Sequence, residues 1–229
     1  MSYYKALGLE REPFSTCPDP DFFYPSLSHQ TVLKRLEISI RLKRGLNLIL
    51  GDVGTGKTTI LRMLLRAFPS DSEFDFHLIM DPSFKSEYQF LSRLVRIFDL
   101  TIGNKSTLDL KESIEHYLFT KAVEENRAVV LLIDEGQKLN FENIEALRML
   151  LNFETNQHKL LQIVIMSQLD ILPKLRKVRN FTDRVALKYT INPLDLQETH
   201  NLINFRLRAA GYESKKDLFT EDAVSQIYL

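Results

Sequence analysis

A glycine-rich stretch between two strongly apolar segments constrains this chain more than any other feature. Residues 51–59 read GDVGTGKTT, follow the apolar run LNLIL (46–50) and precede KTTILRMLLRAF (57–68). The first run has the length of a buried strand, and apolar residues recur through the second at helical spacing. Glycines let a backbone curl until its N–H groups converge on an anion. The segment therefore predicts a strand, a phosphate-binding loop and a helix.

The loop also fits the pattern G-x-x-x-x-G-K-[ST], which predicts a nucleotide site. The predicted binding residues are Gly51, Asp52, Val53, Gly54, Thr55, Gly56, Lys57, Thr58 and Thr59. In this arrangement Lys57 reaches the β- and γ-phosphates, the Thr58 hydroxyl binds Mg²⁺, and the helix points its positive end at the anion. The alternative is a glycine-rich turn with an incidental lysine. The flanking strand and amphipathic helix disfavour that alternative.

A second apolar run ends in two neighbouring carboxylates. VVLLIDEGQKL (129–139) passes from five apolar residues directly to Asp134 and Glu135. A phosphate loop needs an Asp at the end of a neighbouring strand to hold the metal, so we assign Asp134 to Mg²⁺, directly or through a water. Successive side chains of an extended chain point in opposite directions, so Glu135 takes a different role. We interpret Glu135 as the general base that orients a water in line with the γ-phosphate; the alternative is a solvated strand-end charge.

Strand-like and helix-like segments alternate along most of the chain. Predicted strands are 46–50, 74–80, 128–133, 161–166 and 185–191. Predicted helices are 28–42, 57–68, 86–98, 107–125 and 141–151, followed by two more beyond Pro193. This alternation predicts an α/β fold with a parallel sheet covered on both faces.

Three regions follow from the pattern. Residues 1–30 carry prolines among aromatic residues and predict an irregular N-terminal arm packed on the core. Residues 31–192 form the nucleotide-binding core, and 193–229 a partial helical lid. The last predicted helix reaches the final residue without a cap, so we expect the chain to be truncated.

Composition narrows the classes of function. The 30 basic and 30 acidic residues give a formal net charge of zero, which disfavours charge-driven binding of nucleic acid by the whole surface but leaves a local basic patch open. No secretory signal and no run of about 18 apolar residues is present, and the single cysteine, Cys17, cannot form an intrachain disulfide. We expect a soluble, cytoplasmic protein, or the cytoplasmic part of a longer inner-membrane protein.

Together these residues resemble a known family. GDVGTGKTT with VVLLIDE looks like the AAA+ ATPases. With EPFSTCPDPDFFYPSLSH (12–29) and NPLDLQETHNLINFRLRAAGY (192–212), nearly the whole chain resembles the general secretion pathway protein A (ExeA-like) group. The arm ending in Ser28 and His29 is the more specific mark. The resemblance implies a three-layer P-loop NTPase (AAA+) fold with a five-stranded parallel sheet, and ATP and Mg²⁺ as cofactors.

The resemblance also implies further site residues. Its fourth strand ends in a polar sensor of the γ-phosphate, for which Gln168 is the candidate and Ser167 the alternative. Its subunits donate an arginine finger to a neighbour, for which Arg184 matches best and Arg179 second. The basic run 174–188 is alternatively a basic surface or a DNA-facing patch. The family's lid arginine follows a Gly-x-Pro-Arg stretch, and no counterpart occurs in residues 1–229.

The function implied is an ATPase that forms an ATP-dependent homo-oligomer and drives assembly of a bacterial secretion or pilus-type envelope complex. Catalysis would rest on Lys57, Glu135, Gln168 and Arg184. One alternative is a DNA-associated ATPase of the transposition or replication-initiator type. A second is an ATP-dependent assembly scaffold with little turnover.

Overall fold

A five-stranded parallel sheet occupies the centre of the protein. The computed structural model describes residues 2–15, 19–68, 73–101, 106–155, 159–214 and 216–228. The strands are β1 Leu46–Gly51, β2 Phe74–Ile79, β3 Ala128–Ile133, β4 Leu161–Ser167 and β5 Val185–Ile191. They lie in the order β2-β3-β4-β1-β5, and every neighbouring pair is parallel. The predicted sheet is confirmed, and each predicted strand ends within one residue of its predicted bounds. Cys17 lies outside the described residues.

Helices connect the strands and flank the sheet. They are α1 Tyr3–Ala6, α2 Leu27–Arg41, α3 Lys57–Ala67, α4 Glu87–Ile97, α5 Thr107–Phe119, α6 Phe141–Leu150, α7 Leu172–Lys177, α8 Leu196–Ala209 and α9 Glu221–Tyr228. Side-chain caps fix several of their starts: Ser26 accepts from the backbone N–H of His29, and Asn140 accepts from that of Asn143. Within the described part of the chain, no helix is long and apolar enough to cross a membrane.

The two faces of the sheet bury separate apolar layers. Val129 and Leu131 of β3 point into a cluster formed with α4, α5, α6 and α7. Val130 and Leu132 point the opposite way, into a cluster formed with α2 and α3. Alternate residues of a strand face opposite sides, so an uninterrupted apolar run is what burial on both faces requires. This confirms the three-layer α/β arrangement.

Strand β5 shows the burial pattern of an edge strand. Its residues alternate between exposed and half-buried, with Lys188 exposed and Leu187 and Tyr189 packed towards α2 and α3. The sequence VALKYTI alternates in the same way. An edge strand with a charged, exposed side resists pairing with another sheet.

Local structure differs from the sequence expectation in three places. The helix predicted over 107–125 ends at Phe119 and continues as a π-helical turn, Thr120–Glu124. The basic run contains the short helix α7, which no periodicity indicated because it has only two turns. The arm, predicted to be irregular, begins with the helical turn α1.

The N-terminal arm packs on the lid as well as on the core. Leu9 and Phe22 of the arm form a third apolar cluster with Ile203, Leu207 and Val224 of the lid helices. Backbone N–H groups of Glu10 and Arg11 donate to the carbonyl of Ala210, and Arg206 Nε donates to the carbonyl of Phe22. Phe23 instead packs against the α2–α3 side of the sheet. Two lid helices alone would bury little, and the arm completes their core.

The arm was predicted to pack on the core, and its aromatic residues differ in how deeply they are buried. Phe22 is buried, with an exposed fraction of 7%. Phe14 is 37% exposed. Among the described residues, the one aromatic ring that it contacts is that of Phe219, in an edge-on arrangement. Phe14 is therefore a partly exposed contact with the lid rather than a core anchor.

Candidate nucleotide-binding site

The phosphate loop leaves the carboxyl edge of the sheet, where all five parallel strands end. It connects the last residue of β1, Gly51, to the first residue of α3, Lys57. Gly56, immediately before the helix, has a φ of 82°. That left-handed conformation is open to glycine at little cost, and a Cβ there would lie 3.1 Å from His29 Nε2. Gly56 offers no side chain to cap the helix, so the first N–H groups of α3 can receive an anion.

Lys57 is held on its own loop. Its Nζ donates to the carbonyls of Gly51 at 2.8 Å and Asp52 at 2.7 Å, and the residue is buried. Burial lowers the pKa of Lys57 below its ordinary value, and the charges of Asp134, Glu135 and Asp52 oppose part of that shift. Phosphate oxygens would give this ammonium a stronger counter-charge than two carbonyl oxygens do.

The predicted metal ligands touch each other. Thr58 Oγ1 donates to Asp134 Oδ2 at 2.7 Å, although the two residues are 76 positions apart. Asp134 is 2% exposed, and its other oxygen accepts from the backbone N–H of Glu135 at 2.9 Å. A hydroxyl and a carboxylate are hard oxygen ligands, which suit Mg²⁺ when phosphates and waters complete its shell. The donor set fits the predicted cation.

Glu135 leaves the strand end in a constrained conformation. Its backbone has φ 52° and ψ 36°, in the left-handed region that residues with a side chain rarely adopt. Gly136 follows against β4, where a Cβ would come within 2.4 Å of Ile165 Cγ2. Gly136 is tightly packed at this turn, and the two acids have different side-chain partners, Thr58 for Asp134 and Gln137 for Glu135. Such strained positions cluster at functional sites.

The ends of β3 and β4 are joined by a glutamine that the sequence analysis did not single out. Gln137 Nε2 donates to Glu135 Oε2 at 2.8 Å, and Gln137 Oε1 accepts from the backbone N–H of Gln168 at 3.1 Å. Ser167 is fully buried, and its hydroxyl lies 3.3 Å from Gln137 Oε1 and 3.0 Å from the carbonyl of Gln168. Gln168 is half-buried. Of the two sensor candidates, Gln168 is therefore the more accessible.

The arm reaches the loop through His29, a second contact that the residue pattern did not indicate. His29 Nε2 lies 2.9 Å from the carbonyl of Thr55, and its Nδ1 lies 2.8 Å from Ser26 Oγ. A carbonyl only accepts, so Nε2 donates to it. Thr55 in turn donates its hydroxyl to the carbonyl of Asp52 at 2.8 Å. His29 thus supports the base of the loop, and the only sequence signal for it was its place in the arm that resembles a family.

The predicted arginine finger lies at the opposite, amino edge of the sheet. Arg184 precedes β5 and lines a pocket with Arg44, Lys159 and Asp183, which we call the amino-edge pocket. Nε of Arg184 is shielded from solvent and has no hydrogen-bond partner among the described residues. Nearby, Lys159 pairs with Glu154 and lowers the pKa of that carboxyl, with a smaller contribution from the Arg184 charge. The second candidate, Arg179, is exposed.

Lys174 does not belong to the exposed basic surface that the run 174–188 suggested. Its Nζ donates to the carbonyls of Gln137 and, at 3.2 Å, Leu139. The exposed cations of this run are Arg176, Lys177, Arg179 and Lys188.

Comparison with known proteins identifies the family of this chain. Residues 40–175, more than half of the chain, match the family model described as AAA domain. General secretion pathway protein A of Aeromonas hydrophila is 33% identical over 229 residues, which cover 99% of this chain and 41% of that protein. The chain thus spans about two fifths of that relative's length.

Solved structures share the fold at lower identity. Cdc6p from Pyrobaculum aerophilum aligns with a TM-score of 0.66 at 17% identity, covering 92% of this chain and 58% of its own. The Aeropyrum pernix ORC2 protein in ADPNP-ADP complexes aligns with a TM-score of 0.62 at 15% identity, and the alignment covers 86% of this chain and 55% of that protein. A chain of Drosophila ORC bound to DNA aligns with a TM-score of 0.62 at 19% identity, and the alignment covers 94% of this chain and 52% of that one.

Proposed function

Because the chain belongs to the AAA domain family, we propose that it binds ATP with Mg²⁺ at the carboxyl edge of the sheet and hydrolyses it. The observation that carries this proposal is the direct contact of Thr58 with Asp134, beside Lys57 and Glu135. One loop and one strand end thereby bring a phosphate-binding cation, a metal-binding pair and a general base together. The likeness in fold to a protein described in ADPNP-ADP complexes supports an adenine nucleotide.

Each residue of this group has one task in the proposed reaction. Lys57 exchanges its two carbonyl acceptors for phosphate oxygens, and the N–H groups at the start of α3 bind the same anion. Thr58 and Asp134, which contact each other directly, would hold Mg²⁺, Asp134 directly or through a water, and the ion would supply charge stabilisation at the phosphates. Glu135 accepts a proton from the attacking water. Gln168 contacts the γ-phosphate from the end of β4.

The decisive test separates binding from hydrolysis. Glu135→Gln removes the base but keeps the shape, so ATP affinity should stay near that of the unsubstituted protein while turnover falls by roughly 10²–10⁴-fold. Glu142→Gln, at an exposed position in the first turn of α6, is the matched control. Phosphate release and calorimetric binding are the two measurements. Turnover retained by Glu135→Gln would exclude the general-base assignment, and binding without turnover in the unsubstituted protein would favour the scaffold alternative.

Arg184 is proposed to act on the nucleotide of a neighbouring copy. In the register of β1 with β5, Leu46 pairs with Val185 and Gly51 with Ile191, so Arg184 and the phosphate loop lie at opposite ends of the same strands. At about 3.3 Å per residue, β1 spans roughly 17 Å. This separation exceeds the reach of an arginine side chain, which supports action between copies rather than within one.

This part of the proposal requires self-association. Light scattering with and without ATP measures the molar mass, and we expect the mass to rise with ATP. A monomer that turns over ATP at a rate independent of protein concentration would exclude a finger supplied by a neighbour.

For the cellular role, we propose assembly work at the cytoplasmic face of a bacterial envelope. The supporting observation is the 33% identity to general secretion pathway protein A, of which this chain spans 41%. A strain lacking this protein should lose the assembled envelope complex. Complementation by the unsubstituted protein, but not by Glu135→Gln, would tie that loss to ATP turnover.

A second candidate function is DNA-associated ATPase activity. The exposed cations Arg176, Lys177 and Arg179, next to one another at the end of α7, favour it locally. Binding through them would weaken steeply with salt, because each phosphate contact releases counterions. Titration of duplex DNA at two salt concentrations, with Arg176→Ala plus Lys177→Ala as the comparison, distinguishes this candidate from the envelope role.

A further inference from the structure

The side-chain amide of Gln137 is hydrogen-bonded through both its nitrogen and its oxygen within the proposed site. Its nitrogen donates to Glu135 Oε2 at 2.8 Å. Its oxygen accepts from the backbone N–H of Gln168 at 3.1 Å and lies 3.3 Å from the hydroxyl of Ser167. One amide therefore connects the carboxylate after β3 with the polar end of β4.

The direction of this amide is determined by chemistry. A backbone N–H can only donate, so the group facing Gln168 N must be the amide oxygen. The amide nitrogen then faces Glu135, whose carboxylate can only accept when ionised. A reversed amide would place two donors together on one side and two acceptors together on the other. The arrangement therefore has one low-energy orientation.

The backbone that carries Gln137 is clamped as well. Residues Gly136–Lys138 form a single 3₁₀ turn. Lys174 Nζ, from α7, donates to the carbonyl of Gln137 and, at 3.2 Å, to that of Leu139. Gly136 packs against Ile165 of β4 with no room for a Cβ. The turn cannot shift relative to β4 without breaking these contacts.

The hydrogen bond from Gln137 restricts the rotation of the Glu135 side chain. A glutamate has three rotatable side-chain bonds, and fixing its backbone alone leaves the carboxylate free to sample several positions. A general base must lie within about 2.6–3.2 Å of the proton it takes, so a freely rotating carboxylate spends little time in place. A hydrogen bond to a clamped amide limits that rotation.

We infer that Gln137 is a positioning residue, which holds the Glu135 carboxylate for water activation and ties its position to the Ser167–Gln168 end of β4. The inference rests on the proposed function, since it concerns the same reaction. A contact of Gln168 with the γ-phosphate would then be transmitted to Glu135 through one side chain. Gln137 itself touches neither nucleotide nor water in this scheme.

Two substitutions at Gln137 test its contact with Glu135 and its contact with Gln168. Gln137→Leu removes the hydrogen bonds to Glu135, Gln168 and Ser167 at similar volume. Gln137→Glu keeps an acceptor for Gln168 N–H but replaces the donor that faces Glu135. Gln197→Leu is the matched control, because Gln197 is exposed on α8 and bonds only Asn201 among the described side-chain contacts. Thermal unfolding of each variant tests whether the fold is retained.

The expected result is a loss in kcat without a loss in binding. Both Gln137 variants should lower kcat on the order of tenfold to a hundredfold, the range seen when a partner that orients a catalytic ligand is removed. The Kd for a non-hydrolysable ATP analogue should stay within about twofold, because the interaction is made for the chemical step rather than for ground-state binding. A simple loss of structure would lower both together.

A double substitution gives the sharper test. If Gln137 acts through Glu135, then Gln137→Leu should leave the residual single-turnover rate of Glu135→Gln unchanged, because residues that act as a unit are not additive. The same fold-loss in both backgrounds would overturn the inference, and so would an unchanged or increased kcat in Gln137→Leu alone. Absence of ATP turnover in the unsubstituted protein would instead overturn the proposed function, and this inference with it.

Discussion

The two ends of the central sheet differ in how completely their polar groups are satisfied. At the carboxyl edge, the side chains of Lys57, Thr58, Asp134 and Glu135 each have at least one hydrogen-bond partner within the chain. At the amino edge, Arg44, Lys159 and Arg184 gather around one pocket, and Nε of Arg184 has no partner among the described residues. A buried donor without a partner is costly. The carboxyl edge is therefore hydrogen-bonded within one chain, whereas at the amino edge a partner for Arg184 Nε would remove that cost.

The largest effect on turnover is expected at the amino edge, from the removal of Arg184. Arg184→Ala should leave ATP binding intact and lower turnover on the order of 10³-fold, the range for a lost arginine finger. A mixture of the Arg184→Ala and Glu135→Gln variants should recover turnover. A copy with Arg184→Ala still has Glu135 beside its own nucleotide, and a neighbouring copy with Glu135→Gln still supplies Arg184. Rates from a mixture series give the measurement.

Arg179→Ala and Arg176→Ala are the controls for that mixture, since both arginines are exposed in the same basic run. If Arg179→Ala loses turnover and Arg184→Ala does not, the finger is Arg179. If the turnover rate of the mixture equals the sum of the rates of the two variants measured separately, action between copies is excluded.

At the carboxyl edge, the largest effect on binding is expected for Lys57→Ala. The lost ammonium contacts with phosphate are worth about 3 kcal/mol, on the order of a hundredfold in Kd. The free energy of unfolding without nucleotide should not fall, because the substitution removes a charge whose burial is unfavourable. Calorimetric titration with ATP checks the first expectation and chemical denaturation the second. Lys34→Ala, at an exposed position of α2, is the control.

A smaller effect at the same edge tests the support from the arm. His29→Phe removes the ring's hydrogen bonds to the Thr55 carbonyl and to Ser26 Oγ, of which only the first reaches the loop, while keeping an aromatic ring against Phe23. One hydrogen bond is worth about 1 kcal/mol, so ATP should bind roughly fivefold more weakly. An unchanged Kd would show that the loop holds its shape without the arm.

The smallest effect is expected away from both ends, at His77 on the outer strand β2. Burial lowers the pKa of His77 below its ordinary value of about 6.5, against an opposing contribution from the Asp75 charge. As the pH falls through about 6.5 the unfolded chain takes up this proton before the folded protein does, so the free energy of unfolding falls. Denaturation between pH 8 and about pH 5.5 should show a shallower decline for His77→Gln than for the unsubstituted protein. Equal slopes would contradict the assignment.

The sequence was informative wherever a pattern is local. Apolar runs of strand length predicted the central strands, since burial on both faces leaves no polar position in β3 and only Gln162 and Ser167 in β4. The loop at 51–59 and the pair Asp134–Glu135 were recognisable because the residue types and the spacing each serve one chemical need. The short helix α7 was missed because two turns carry no measurable periodicity.

Contacts between distant segments could not be predicted in this way. His29 meets Thr55 across 26 positions, and Gln137 meets Gln168 across 31. The second pairing depends on strand order, in which β4 lies next to β3, and the first depends on the packing of α2 beside the loop that precedes α3. The spacing of apolar residues indicates which face of a segment is buried, but it does not indicate which other segment packs against that face. The arm was expected to lie on the core, and its contact with the lid had no signal in the sequence either.

The amino-acid sequence by itself therefore determined the alternation of strands and helices, the phosphate loop and the two acids, since these follow from burial and from residue chemistry along one segment. Only the tertiary structure decided that Thr58 touches Asp134, that Gln137 joins Glu135 to the end of β4, and that Arg184 lies at the far end of the strands from its own loop. The physical reason is that the sheet brings together residues from separate strands, and their distances are set by strand order and register rather than by position in the chain.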